Sequence, residues 1–136
     1  MGAWSHESFG NDTACDWAGD LQEGDDIVPV EAALDAVLEV GDDYLEAQEA
    51  TEAIAAAEVV ARLQGHFGLR DAYSESLDQW IERLGVAPSP ALAAKARQVL
   101  DRILAEPSEL LELWEESGEP GEWRAAVIEL KDRIAV

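Results

Sequence analysis

The run LEAQEATEAIAAAEVVARLQ, residues 45–64, decides the fold. Alanine loses no side-chain freedom in a helix, and the run contains neither Pro nor Gly, so it predicts one long, strong helix. Ala50, Ala53, Ile54, Ala57, Val60, Ala61 and Gln64 fall along one side of that helix. Most of these side chains are small, which lets neighbouring helices approach closely. The stretch therefore reads as the central helix of a packed helical domain, interrupted after Gln64 by Gly65 and Gly68.

Upstream, Ile27, Val28 and Val30 flank Pro29, and Ala33, Leu34, Val37 and Leu38 then repeat at helical spacing as far as Gly41. The outer face of this segment carries Glu31, Asp35 and Glu39. Further back, Asn11 or Asp12 is placed to cap a first helix ending near Leu21, with Ala14, Trp17, Ala18 and Leu21 on one face and Gln22 to Asp26 as a polar loop. Downstream, Ser74 or Ser76 begins a helix with Leu77, Trp80, Ile81 and Leu84 on one stripe before Gly85. Ser89 caps and Pro90 starts the next, whose Leu92, Ala96, Val99, Leu100, Ile103 and Leu104 face inward until Pro107 closes it. Ser108 precedes a helix in which Leu110, Leu111 and Trp114 pack while Glu109, Glu112, Glu115 and Glu116 stay wet. After a break at Gly118, Pro120 and Gly121, a last segment aligns Trp123, Val127, Leu130 and Ile134. No stretch sustains the alternation of a strand. The expected architecture is all-α, a single acidic helical domain over residues 1–136 built as a compact array of about six to seven helices.

Charge sets the next constraint. Nine Lys and Arg stand against 30 Asp and Glu, a formal net charge of −21, which repels nucleic-acid phosphates and anionic lipid. Neither nucleic acid nor membrane is an expected partner. Residues 1–64 hold 16 of the acidic groups and a single cation, Arg62. The charge is well beyond the ~2 to 8 that keeps a small domain soluble, and this excess points to a basic protein partner. Cys15 is the only cysteine, so the chain forms no internal disulfide and the expected setting is cytoplasmic. The opening MGAWSHESFG lacks the charged and apolar regions of a signal peptide. His6 stands where acylation of Gly2 requires Ser or Thr. Nothing in the sequence fixes an oligomeric state.

The opening residues carry a resemblance. Met1, Gly2, Ala3 and Trp4, then Phe9, Asn11, Asp12, Ala14, Asp16 and Trp17, resemble an uncharacterised bacterial family that begins Met-Gly-x-Trp and continues with Phe-x-Asn-Asp and Asp-Trp. The likeness extends through YLEAQEATEAIAAAEVVARLQG, residues 44–65, and more faintly to ELLELWEE and Trp123. Ser5 stands where the family pattern more often has Gly. The resemblance implies membership of a domain of unknown function and no activity.

Candidate chemistry is sparse. Asp12 and Asp16, at i and i+4, suit a hard cation if Glu46, Glu49 or Asp20 completes the shell, but the spacing is not that of an EF-hand and Asp12 serves more simply as a helix cap. No metal and no cofactor are expected. Phe9, Asn11, Asp12 and Trp17 read as a tied-down loop, with a small-molecule pocket as the alternative. Glu58, between apolar flanks, is either a buried carboxyl of raised pKa or, more commonly, the ion-pair partner of Arg62 one turn on or an exposed edge position. His6, His66 and Cys15 match no zinc or nucleophile pattern.

The sequence thus favours a non-enzymatic module that binds a basic protein, a toxin-neutralising immunity protein being its most concrete form. The binding candidates are Glu31, Asp35 and Glu39 on one helix, Glu112, Glu115 and Glu116 on another, and Trp4 or Trp114 as aromatic anchors. The alternative is a small-molecule or metal-dependent enzyme using Asp12, Asp16, Glu49 and Glu58 between helices.

Overall fold

The computed structural model describes residues 12–67, 75–117 and 120–135. In them the chain forms α1 (Asp12–Leu21), α2 (Val28–Val40), α3 (Ala47–Leu63), α4 (Glu75–Leu84), α5 (Pro90–Ile103), α6 (Glu109–Ser117) and α7 (Pro120–Arg133). There is no strand among the described residues, only an isolated bridge between Leu45 and Ser108. The periodicity had placed these helices to within a few residues. One break moves: Pro120 and Gly121 open α7, where Pro at the first position gives up no hydrogen bond.

Several helix ends have a local cause. Ser89 Oγ accepts from Leu92 N at 3.1 Å, the cap that Ser-Pro implied for α5. Asp26 Oδ1 accepts from Val28 N at 3.1 Å at the entry to α2, which Pro29 then continues. Gly41 and Gly85 end α2 and α4 at φ of 60° and 62°, in the left-handed region that glycine enters without a Cβ penalty. Asn11, the alternative cap for α1, lies outside the described residues.

Helix α3 packs against all six other helices, which makes it the central element. Its burial is wider than the one-sided stripe expected: Ala55, Ala56 and Val59 are as fully buried as Ala53, Ala57 and Val60. A helix surrounded on every side must be small or apolar all round, and the alanines satisfy that. Gln64 is not in the core, since it exchanges hydrogen bonds with the backbone of Ala135, 2.7 Å from its Nε2 and 2.9 Å to its Oε1. Around α3 lie Leu21 of α1, Leu34 of α2, Leu77 of α4, Leu100 of α5, Leu111 of α6 and Leu130 of α7. The buried Trp80 satisfies its indole N–H on the carbonyl of Gly24 at 2.9 Å, which ties the loop after α1 to α4.

Candidate functional site

Two polar constellations stand out. The first is interior, on the central helix. Glu58 is buried, and so are Arg62 and Asp78, each 2% exposed. Arg62 Nε donates to Glu58 Oε2 at 3.1 Å and its Nη1 to Asp78 Oδ1 at 2.6 Å, while its guanidinium lies 5.7 Å from the centroid of Phe67. Arg133 reaches in from the end of α7 and grips both Glu58 oxygens, at 2.6 and 2.8 Å. Burial alone pushes the Glu58 carboxyl up, but the Arg133 hydrogen bonds and the charges of Arg62 and Arg133 outweigh it and hold the group below the usual carboxylate value. The alternative of a raised pKa at Glu58 is therefore corrected, and the i, i+4 pair is present. A carboxylate held ionised between two guanidiniums is poorly suited to general-acid work. Asp78 and Arg133 were missed as partners because neither lies near Glu58 in sequence.

The second constellation is on the surface, where α6 begins. Leu45 N donates to Pro107 O at 3.2 Å and Glu109 N to Leu45 O at 2.8 Å, so the segment before α3 runs beside the start of α6. That pairing sets Tyr44, 50% exposed, against Glu112, and the phenol donates to Glu112 Oε2 at 2.7 Å. The Tyr44 hydroxyl is pushed up to about 12, first by this hydrogen bond, then by its partial desolvation against α6, then by the negative charges of Glu112, Glu109 and Glu116. Glu109 departs from expectation. It is half-buried, and its Oε1 accepts from Ala47 N at 2.8 Å, capping α3 from another helix where Glu46 supplies no cap of its own.

The binding candidates divide accordingly. Glu112, Glu115 and Glu116 are exposed on α6, and among the described residues none is in an ion pair. Glu31 and Glu39 are exposed on α2, but Asp35 is half-buried and paired with Lys95 of α5 at 2.7 Å. Helix α2 packs on α3 and α5, and α6 on α3 and α7, so the acidic sets share α3 as a support but have different second neighbours. Trp114 is not the free anchor expected. It is half-buried and stacked on Trp123 with centroids 6.3 Å apart and planes within 7°. The exposed aromatic on this surface is Tyr44, a residue that periodicity alone does not single out. Trp4, His6 and the Phe9–Asn11 cluster lie outside the described residues.

The enzyme alternative asked for Asp12, Asp16, Glu49 and Glu58 in one cleft. Asp12 and Asp16 are exposed on α1, Glu49 is half-buried in the first turn of α3, and Glu58 is committed to its arginines. Among the described residues no group of three His, Cys, Asp or Glu side chains is arranged to hold a metal ion. A cleft of about 260 Å³ opens between the ends of α3 and α4, lined by Leu63, Phe67, Ile81 and Val86 with Arg62 and Glu82. It takes in none of the four acidic residues. No described helix is long and apolar enough to cross a membrane.

No curated protein and no solved structure matches the chain. A family model described as Domain of unknown function (DUF4259) matches residues 2–126, which span every described helix except the end of α7. The chain belongs to this family of unknown function.

Proposed function

We propose that this domain is a non-enzymatic binding module that captures a basic protein partner, with the α6 face as the contact. The observation that carries the reading is the cluster of exposed Glu112, Glu115 and Glu116 beside the exposed ring of Tyr44. Five of the eight described cations are engaged in contacts of their own. Arg62 and Arg133 serve the interior, Lys95 pairs with Asp35, Lys131 pairs with Asp101, and Arg102 is bound to backbone carbonyls. The negative field of α6 is therefore left open to solvent, which favours fast electrostatic capture. A tyrosine ring among carboxylates adds a flat surface on which an arginine or lysine of the partner can lie.

The most concrete form of such a module is an immunity protein, which neutralises a toxin by covering a basic site on it, and a cytoplasmic setting accords with the single Cys15. The experiment is capture of a basic protein at low and at high salt by the wild-type chain and by the combined Glu112→Gln, Glu115→Gln and Glu116→Gln variant. A partner retained at low salt, released at high salt and lost by the variant supports the reading. Equal retention by the variant overturns it.

A further inference from the structure

Arg102, near the end of α5, forms no ion pair with a carboxylate among the described residues despite the acidity around it. Its guanidinium is spent on four backbone carbonyls: Nε donates to Gly41 O at 2.9 Å, Nη1 to Ala105 O at 2.9 Å, and Nη2 to Asp43 O at 2.7 Å and Pro107 O at 3.1 Å. Two of these carbonyls belong to the turn that follows α2 and leads directly into Tyr44. The other two belong to the turn that leads from α5 into α6. A planar fork with donors on both edges can bridge two such turns, whereas a point charge cannot.

We infer that Arg102 is the positioning residue of the α6 face: it clamps the Gly41–Asp43 turn to the Ala105–Pro107 turn, and so holds Tyr44 in register with Glu112. This rests on the reading of that face as the binding surface, but the clamp itself is measurable without a partner. The neighbouring Leu45–Ser108 bridge supplies the second half of the register, and it joins the same two turns. Tyr44 depends on this alignment, because its hydroxyl reaches Glu112 across 68 residues of chain.

The signature is the Tyr44 phenol titration, followed by absorbance in a Tyr73→Phe background so that a single tyrosine reports. Two roles for Arg102 predict opposite signs. If the residue acts only as a nearby positive charge, Arg102→Met removes a cation and raises the phenol value. If it acts as a clamp, the same change frees the turn, breaks the Tyr44–Glu112 hydrogen bond and moves the value from about 12 toward the ordinary 10.0. Arg102→Lys separates the roles again, since it keeps the charge but cannot span both turns. It should titrate like Arg102→Met.

In the wild-type protein the Arg102 Nε–H should also exchange slowly with solvent, a measurement that needs no variant to fold. Binding is read in parallel as the association rate with a short oligolysine peptide. The expected result is a lowered phenol value in both variants and a slower association with the peptide. An unchanged or raised phenol value, rescue by lysine, or a fast-exchanging Nε–H overturns the clamp. A lowered phenol value with peptide association unchanged leaves the clamp standing and overturns the binding role of the face instead.

Discussion

Arg133 closes on Glu58 with two hydrogen bonds, 2.6 Å from Nη1 to Oε2 and 2.8 Å from Nη2 to Oε1, across 75 residues of sequence. The pair fastens the end of α7 to the middle of α3, and Arg133 Nη1 also donates to the His66 carbonyl at 3.1 Å just beyond α3. Asp78 brings α4 into the same network through Arg62. Glu58 and Asp78 meet Arg62 and Arg133 here, and Arg133 pairs as well with Glu129 toward solvent, so removing Glu58 leaves each arginine one partner short rather than unpaired.

Glu58→Gln is accordingly expected to destabilise the fold by about 1.5 to 3 kcal/mol, the loss of charge-assisted hydrogen bonds, although glutamine has the same shape. Arg62 keeps Asp78, so most of the loss should fall on Arg133. Chemical denaturation checks the size, and Arg133→Met checks the assignment. The double variant should lose less than the two single losses added together, because each change removes the other side chain's partner. Strict additivity would show that the two side chains do not interact.

The same network sets a pH dependence. The Glu58 carboxyl is held below its ordinary value in the folded chain, so its contribution is complete above the unfolded value of 4.5 and is lost as pH falls through the folded value. The mutual repulsion behind the net charge of −21 works in the other direction, since it relaxes on acidification. Comparison with Glu58→Gln separates the two, because the variant retains the repulsion and lacks the pair. The stability difference between wild type and variant should be constant near neutral pH and shrink below 4.5. A difference independent of pH down to strongly acid solution would remove Glu58 as its source.

Ala57 lies on α3 with no exposed surface, inside a helix that every other helix touches. Ala57→Asp would place a carboxylate there without room or partner, at a cost of several kcal/mol. Gln48→Asp provides the control, since Gln48 is exposed in the first turn of the same helix, where a negative charge is favoured by the helix dipole. Thermal melting should show a large fall for the first and almost none for the second. A melting temperature unchanged by Ala57→Asp would mean that Ala57 faces solvent.

The helices were legible because local rules govern them: alanine content for α3, Ser-Pro for α5, glycine for the ends of α2 and α4. The i, i+4 pairing of Glu58 with Arg62 was legible for the same reason. Contacts made by tertiary packing were not. Periodicity cannot say that Glu109 turns from solvent to cap α3 through Ala47, because the open N–H groups of one helix do not specify which other helix supplies an acceptor. Periodicity packs Trp114 with Leu110 and Leu111, but it does not show that the ring stacks on Trp123. Tyr44 sits before α3 with no periodic context, and it becomes interesting only when the turns at either side of Leu45 and Ser108 meet.

The two acidic faces allow a test in which net charge is held equal. Glu112→Gln, Glu115→Gln and Glu116→Gln together remove three negative charges from α6, and Glu31→Gln, Asp35→Asn and Glu39→Gln remove three from α2. If the domain attracted a basic partner through its total charge alone, both variants would slow association to the same degree. The surfaces differ in two respects, however. Asp35 is already neutralised by Lys95, and among the described residues the carboxylates of α6, not those of α2, have an exposed aromatic ring beside them, that of Tyr44. We therefore expect the α6 variant to lose roughly tenfold in association rate at low salt, the α2 variant clearly less, and both differences to fade as salt shortens the screening length from ~10 Å at 0.1 M to ~3 Å at 1 M. Melting temperatures should change little for the α6 variant, while the α2 variant loses whatever the Asp35–Lys95 pair contributes, which for a half-exposed pair is under about 1 kcal/mol. Stopped-flow association with oligolysine or with a captured basic protein supplies the rates. Equal slowing by the two variants would assign the effect to net charge rather than to the α6 face, and no slowing by either would leave the acidity with a role in solubility alone.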